Sequence, residues 1–363
     1  MRLIDEAALD DMTLGSTVLG SGGGGDPYIG MLLARDAIRR FGPVPLVDLD
    51  EVPDDANLVF IAGIGAPGVI IEKVPRAHEY ERVLQQLERF TGKTFDYVCP
   101  IEAGGLNAVT PFATAAACGV PVIDADGMGR AFPHLDMVTP TLFGQQATPF
   151  VMVDEHGNSM FLESLTNAWG EAYARAGVLA SGANATIALY PMTGADAKRS
   201  LVRGALSTAT AIGRTLREAR ENHRAPVDAL VAGHEGVLLF TGKVEEVDRR
   251  NERGWTLGTA KLSGLGEDDG HTFTLHFQNE NLAAERDGRI VATTPDLLMA
   301  MEIDSGVPIP AEEIRYGYRV AVVGMPADPL WRTEAGLELA GPRRFGYDVD
   351  YVPVEAGARE TVG

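Results

Sequence analysis

Residues 95–130 read FDYVCPIEAGGLNAVTPFATAAACGVPVIDADGMGR, in which a run of small apolar residues separates two short apolar runs. Residues 95–99 and 120–123 are short apolar runs that predict strands, and the small apolar residues 112–118 predict a helix between them. Apolar strands that alternate with helices are typical of a mainly parallel sheet covered on both faces. We therefore predict an α/β fold for this part of the chain.

The same alternation extends towards the amino end. Residues 44–47 and 58–62 predict further strands, and residues 5–14 and 79–90 predict helices. Another helix is predicted to begin at Asp26-Pro27 and to end at Gly42, because Asp is a good N-cap, Pro fits the first helical position and Gly suits the C-terminus. The helical spacing predicts a buried face made of Ile29, Leu32, Leu33, Ala37 and Phe41.

The second half of the chain has a different pattern. One long helix is predicted over residues 196–220, and short alternating strands follow, at residues 237–240, 256–262, 272–277, 289–292 and 319–323. A hairpin is predicted around residues 155–158, and the domain boundary is placed just after it. We thus predict an N-terminal domain (1–165) with a mainly parallel sheet and flanking helices, and a β-rich, α+β C-terminal domain (166–363).

The composition restricts the classes of function. The chain has 31 Lys and Arg against 51 Asp and Glu, a net charge of −20, and a protein this acidic repels nucleic acids and anionic lipid surfaces. No apolar run approaches the ~18 residues of a membrane span, and the first residues lack the order of a signal peptide. We expect a cytoplasmic homo-oligomer that acts on a small molecule, not on nucleic acid or a membrane.

A glycine run, GSGGGGDPY, occupies residues 20–28 and contains a GxGxxG pattern. In one interpretation it binds a dinucleotide, with Asp48 as the later acidic residue. The residues before it look helical, however, and Asp26 places a carboxylate where a pyrophosphate needs an unopposed positive helix end. In a second interpretation the run is a tight turn capped by Asp26. In the third, a small polar substrate binds to Gly22, Gly23, Gly24, Gly25 and Asp26.

Three loops follow the predicted strands, at residues 63–67, 102–107 and 124–130, where ligands of parallel sheets bind. The second and third loops carry Glu102, Asp124 and Asp126, which are candidates for acid–base catalysis. The alternative is that Asp124 and Asp126 only cap turns. Asn107 and Arg130 are candidate substrate-binding residues, the arginine for a substrate carboxylate.

Metal and thiol motifs are absent from the sequence. The seven histidines form neither HxH nor HExxH, and the two cysteines, Cys99 and Cys118, form no CxxC. We predict no zinc site and no cofactor, although a divalent cation between Glu102 and Asp126 is left open.

Polar residues also follow a predicted strand in the second half, at residues 278–281 (QNEN). Such side chains are costly to bury without partners, so they either face solvent or bind something. We expect Asn279 and Glu280 to complete, from the β-rich domain, a site built mainly by the first domain, because pockets favour domain interfaces. Arg343 and Arg344 could hold a carboxylate, with a surface ion pair as the alternative.

Together, residues 20–28, 102–107, 120–130, 278–281 and 341–348 resemble the S-methyl thiohydantoin desulfurase family, long known as a domain of unknown function associated with hydantoinases. The resemblance spans nearly the whole chain. It implies a two-domain hydrolase that cleaves a carbon–sulfur bond on a hydantoin or imidazolone ring, at the carbon between the two nitrogens.

A mechanism can be predicted on this hypothesis. Water attacks the ring carbon and a thiol leaves, with Asp126, or Asp124 beside it, as the base and Glu102 as its partner or as general acid. Two other functions stay open. The chain could be a non-catalytic accessory or binding subunit of a hydantoinase- or oxoprolinase-type system, or a nucleotide-dependent enzyme that uses the glycine-rich loop.

Overall fold

The computed structural model describes residues 1–65, 69, 78–252 and 255–360. The chain divides into two compact units. The first comprises Met1–Ser16 and Gly24–Thr210, and the second comprises Thr17–Gly23 and Ala211–Gly363. None of the described helices is long and apolar enough to cross a membrane.

The first unit contains a mixed sheet. Its strands are β1 Arg2–Ile4, β2 Val44–Asp48, β3 Asn57–Gly65, β4 Tyr97–Pro100, β5 Val122–Asp126, β6 Phe150–Val153, β7 Ser159–Leu162, β8 Asn184–Thr193 and β9 Val202–Arg203. The strand order is β1-β2-β5-β4-β3-β8-β6-β7, and β9 pairs with β5. The central strands β2, β5, β4 and β3 are parallel to one another, as the sequence predicts, and the other pairings are antiparallel.

Helices flank this sheet, and the apolar residues between them form the core of the unit. In chain order the helices up to residue 221 are α1 Ala8–Leu19, α2 Pro27–Phe41, α3 His78–Thr91, α4 Pro111–Cys118, α5 Thr139–Leu142, α6 Asn167–Ala180, α7 Gly194–Ser200 and α8 Ala205–Glu221. The last residues of α1 and α8 belong to the second unit. The prediction for α2 is confirmed at both ends: the Asp26 carboxylate accepts the Tyr28 N–H at 2.8 Å, and the Gly42 N–H bonds to the Ile38 carbonyl. Its buried face is partly different, because Leu32 and Phe41 are exposed while Met31 and Ile38 are buried.

The bounds of two predicted helices differ in the structure. Helix α1 runs to Leu19 rather than ending near residue 14, which confirms that the residues before the glycine run are helical. The long helix predicted over residues 196–220 is interrupted, because Val202 and Arg203 pair with β5 as strand β9 and Gly204 takes a φ of +65°. Pairing with the sheet outweighs the helical propensity of this segment.

The second unit contains an antiparallel sheet. Its elements are α9 Pro226–Gly233, β10 Val237–Glu252, β11 Trp255–Gly264, β12 Thr272–Gln278, β13 Glu280–Arg286, β14 Arg289–Thr293, β15 Leu297–Glu302, β16 Arg319–Met325, α10 Glu334–Ala340 and α11 Val354–Glu360. The strand order is β14-β13-β12-β11-β10-β16-β15. Buried apolar side chains of the sheet form its core, in which the rings of Phe240 and Phe273 stack with centroids 4.8 Å apart. The predicted β-rich, antiparallel character of this half is confirmed.

Strands β13 and β15 are not among the sequence predictions. A two-residue turn, Asp287-Gly288, joins β13 to β14, with φ values of 48° and 81°. Asp-Gly between alternating strands is a strong hairpin signal, so β13 was detectable from the sequence. Near the end of the described chain, Arg343 pairs with Asp348 and Asp350 in exposed ion pairs at 3.0 and 3.1 Å, in agreement with the surface alternative for this arginine.

Candidate functional site

The carboxyl ends of the parallel strands β4 and β5 place two carboxylates in one region of the first unit. Strand β4 ends at Pro100, so Glu102 follows it by two residues, while Asp126 is the last residue of β5. Both side chains are buried, with relative exposures of 5% for Glu102 and 0% for Asp126. Since the ends of neighbouring parallel strands meet at one edge of a sheet, this is where an α/β fold binds ligands.

The carboxylate of Asp126 is held by backbone N–H groups. It accepts the Ala103 N–H at 2.5 Å and the Gly129 N–H at 2.8 Å, so it ties the loop after β4 to the loop after β5. Backbone N–H donors favour the ionised form of a carboxyl group and reduce its basicity. Asp126 therefore fixes the position of Ala103, the residue next to Glu102.

Glu102 is held by Asn107, which lies in a 3-10 turn at Gly105–Ala108. The Asn107 Nδ2 donates to Glu102 Oε1 at 2.6 Å. The same amide pairs with the backbone of Gly63 in β3, accepting its N–H at 2.7 Å and donating to its carbonyl at 3.3 Å. The structure thus brings Glu102 and Asn107, from the predicted loop at residues 102–107, together with Gly63, from the predicted loop at residues 63–67. Ala66 and Pro67 of that loop lie outside the described residues.

Part of the glycine run belongs to the first unit. The Gly24 carbonyl accepts the Leu106 N–H at 2.9 Å, and a Cβ on Gly105 would lie only 2.4 Å from the Gly24 oxygen. Gly24 and Gly25 both have positive φ, 84° and 75°, and their N–H groups have no acceptor among the described residues. Both glycines are half-buried, and their N–H groups fit the interpretation of the run as a binding loop.

The other part of the glycine run belongs to the second unit. The Ser21 hydroxyl pairs with the backbone of Leu298 in β15: it accepts the Leu298 N–H at 2.9 Å and donates to the Leu298 carbonyl at 3.1 Å. The backbone carbonyl of Ser21 accepts the Asn281 N–H at 2.7 Å. Glu280, 3% exposed, lies directly against Gly23, where a Cβ would come within 2.0 Å of its Oε1. The φ of Gly23 lies outside the left-handed region, so the backbone conformation does not demand glycine here. Glycine is needed at this position because of the close contact with Glu280.

Asn279 has a different environment from its neighbour Glu280. It adopts a φ of 57° in the turn between β12 and β13, and its Oδ1 accepts the Thr256 N–H at 2.8 Å. Its own N–H donates to the Thr256 carbonyl at 2.8 Å. Asn279 thus shapes this turn, and its substrate-binding role stays a prediction, as does the expectation that both domains complete one site.

The remaining predicted residues have clear structural contacts. Asp124 accepts the Ser207 N–H at 2.9 Å and the Ser207 hydroxyl, which places it as a cap on the first turn of α8. Arg130 is 0% exposed, with its Nε bonded to the Ala131 carbonyl at 2.9 Å and its guanidinium 4.5 Å from the ring centre of Phe132. Asp26 caps α2, as described above. Catalysis by Asp124 and substrate binding by Arg130 stay predictions.

Tyr80 on α3 is a residue that the sequence analysis missed. Burial, reinforced by the charge of Glu79, raises the pKa of its hydroxyl well above the usual range. A Cβ on Gly63 would lie 3.0 Å from this hydroxyl. Tyr80 is 3% exposed and lies on the apolar face of α3, so its pattern in the sequence is that of an ordinary core residue.

The chemistry available at this edge is that of carboxylates and amides. Among the described residues, no group of three or more His, Cys, Asp or Glu side chains could hold a metal ion. The nearby thiol of Cys99 is fully buried, and burial together with the charges of Asp126 and Asp124 raises its pKa well above the usual range, so the thiol stays protonated. The glycine run also differs from a dinucleotide site, because helix α1 leads into it and Asp26 caps α2.

Comparisons with known proteins agree with this architecture. The family model described as S-Me-THD-like, N-terminal domain matches residues 7–164, and the model described as S-Me-THD-like, C-terminal domain matches residues 165–354. A crystal structure of a protein from Chromobacterium violaceum is similar, with a TM-score of 0.79 and 26% identity over 98% of this chain and 100% of that one. No curated protein matches the chain significantly.

The fold and the family models define the class of protein. It is a two-domain protein in which a mixed, centrally parallel α/β sheet is followed by an antiparallel sheet. The chain belongs to the S-Me-THD-like family, which is named for an enzyme. The family models meet at residues 164 and 165, whereas the compact units divide after Thr210, because β8 and β9 belong to the first sheet. The boundary at residue 165 stays a prediction.

Proposed function

We propose that this protein is a hydrolase that removes sulfur from an S-methyl thiohydantoin or a related imidazolone ring. Family membership supports the reaction class, because the family is named for such an enzyme. The observation that carries the proposal in this chain is Glu102: a buried carboxylate at the ligand-binding edge of a parallel sheet, oriented by an amide 2.6 Å away.

In the proposed reaction, water adds to the ring carbon between the two nitrogens. A base takes one proton from the water, a tetrahedral intermediate forms, and the carbon–sulfur bond breaks. The sulfur leaves as methanethiol after it receives a proton, and the ring keeps the oxygen as a hydantoin. Atoms balance with water as the only co-substrate.

Of the two candidate carboxylates, Glu102 is the better base. Asp126 already accepts N–H bonds from Ala103 and Gly129, and these bonds engage both of its oxygens. Asp126 is assigned the task of holding both loops in place. The N–H groups of Gly24 and Gly25 are proposed to bind the ring oxygen or the charge that develops on the ring.

The experiment is an assay of methanethiol release from S-methyl thiohydantoins, followed by gas chromatography so that protein thiols do not interfere. Glu102→Gln keeps the shape of the side chain and removes the base, so kcat should fall about 10²–10⁴-fold. Glu163→Gln changes an exposed glutamate of the same unit and serves as the matched control, with kcat unchanged.

Two results would reject the proposal. Calorimetric binding of the thiohydantoin without any turnover by the wild type would favour an accessory or binding subunit. Saturable binding of NAD or ATP with no thiol release would favour a nucleotide-dependent enzyme. Full activity of Glu102→Gln would move the base to another residue.

A further inference from the structure

The Asn107 side chain forms hydrogen bonds with β3 beyond the point where the neighbouring strand β4 ends. Strand β4 pairs with β3 only as far as Ile61 and Pro100. Two residues further along β3, Gly63 pairs with Thr186 of β8 on one side. On the other side of Gly63, the Asn107 amide accepts the Gly63 N–H at 2.7 Å and donates to the Gly63 carbonyl at 3.3 Å. The carboxamide therefore occupies the place of a strand residue.

This pairing fixes which way the amide points. If the oxygen and nitrogen of Asn107 were exchanged, the oxygen would face the Gly63 carbonyl and the Glu102 carboxylate, and the NH₂ group would face the Gly63 N–H. Only the observed orientation pairs donors with acceptors. The Nδ2 group is consequently directed at Glu102 Oε1, 2.6 Å away.

We propose that Asn107 is a positioning residue that holds the Glu102 carboxylate in its working orientation, rather than a donor to the substrate. This inference rests on the proposed function, in which Glu102 is the base. The Asn107 Oδ1 already accepts the Gly63 N–H, and its Nδ2 donates to Glu102 and to Gly63, so both polar atoms act within the protein. Asn107 itself is buried, with 8% relative exposure.

The chain offers a matched control in Asn167. Its Oδ1 accepts the Ala147 N–H at 2.8 Å and its Nδ2 donates to the Gln145 carbonyl at 2.9 Å, so it also pairs with backbone in the first unit. A third partner is the Thr141 hydroxyl at 3.2 Å, and among the described residues no carboxylate bonds to this side chain. Substitutions at Asn167 remove comparable bonds without touching Glu102.

The test compares Asn107→Ala and Asn107→Asp with Asn167→Ala and Asn167→Asp. We expect all four to lower the thermal midpoint, but only the Asn107 variants to lower kcat, by about 10²-fold, because small misplacements of a catalytic group have such effects. The KM should change less than about threefold. If Asn107 binds substrate, its variants raise the KM instead, and the inference is wrong. The inference is also wrong if the Asn107 variants and the Asn167 variants have the same kcat.

Crystal structures of the same variants provide a readout that needs no activity. In Asn107→Ala, the Glu102 carboxylate should leave its wild-type position, whereas in Asn167→Ala it should stay. If Asn107→Ala does not fold, the isosteric Asn107→Asp replaces it, because its new oxygen faces Glu102 Oε1 and repels it. An unmoved Glu102 refutes the positioning role. Absence of thiol release by the wild type refutes only the proposed function.

Discussion

Replacing Gly23 by alanine tests the contact between the glycine run and strand β13. The new Cβ would lie 2.0 Å from Oε1, 2.5 Å from Cδ and 2.8 Å from Cγ of Glu280. All three distances are shorter than non-bonded carbon contacts allow, so the buried glutamate has to move. The φ of Gly23 is outside the left-handed region, and the backbone alone therefore does not resist the substitution.

The magnitude follows from the costs of overpacking. Forcing an extra methyl group into a filled site costs about 1–3 kcal/mol. We expect a loss of about 2 kcal/mol, which for a unit of this size lowers the thermal midpoint by about 4–8 °C. Shortening the opposing side chain should remove most of the loss, because Glu280→Ala deletes the three atoms that the new Cβ meets.

The assay is a double-mutant cycle by scanning calorimetry with Gly23→Ala, Glu280→Ala and the double variant. We expect a favourable coupling of about 1–2 kcal/mol between the two substitutions. The matched control is Gly233→Ala in α9, where the nearest atom to a Cβ is Thr215 Cγ2 at 3.9 Å. That change should be neutral or slightly stabilising.

Two results would refute this reasoning. Additive effects in the cycle would show that the new methyl group does not meet Glu280. A Gly23→Ala variant as stable as Gly233→Ala would show that the loop has room for a side chain, and the glycine would then be explained by ligand approach alone.

Three further predictions concern single residues. Asp126→Asn should lower stability by about 1–3 kcal/mol, because an NH₂ group cannot accept the Ala103 or Gly129 N–H; an unchanged calorimetric midpoint would contradict this. Burial lowers the pKa of His234 below 6.5, so the unfolded chain binds more protons and stability rises with pH. The free energy of unfolding, measured by urea denaturation, should therefore rise less between about pH 5 and 7 in His234→Gln than in the wild type, and an equal rise would disprove this prediction. Burial raises the pKa of Cys118 to about 11, so native protein at about pH 8 should react with Ellman's reagent roughly 10²-fold more slowly than unfolded protein; rapid native labelling would oppose this.

Several features of the fold were predictable because they depend on neighbouring residues in the chain. The apolar runs that became β2, β3, β4 and β5 predicted the parallel centre of the first sheet. Asp26-Pro27 marked the start of α2 through capping chemistry that involves only Tyr28, two residues away. The strand alternation after Pro226 predicted the antiparallel second sheet.

The candidate site was predictable in part for the same reason. Because parallel strands end at a common edge, Glu102 and Asp126 could be placed together from strand order alone. What the sequence could not supply was the role of each carboxylate. Both are acidic residues in glycine-rich loops, and only the contacts with Ala103 and Gly129 for Asp126, and with Asn107 for Glu102, distinguish them.

Periodicity and turn chemistry are local properties of the chain, so the class of fold, the position of the glycine run and the set of candidate carboxylates follow from the order of residues alone. The contacts of these residues depend on how the chain packs. Residues 202 and 203 became a strand because they pair with Ala125 and Asp126, which lie beyond the part of β5 that pairs with β2. Asn107 could pair with Gly63 only once β3 was in place. Gly23 has to be glycine because Glu280, 257 positions later, fills the space beside it. Contacts between residues so far apart in the chain arise from packing, which local sequence patterns do not encode.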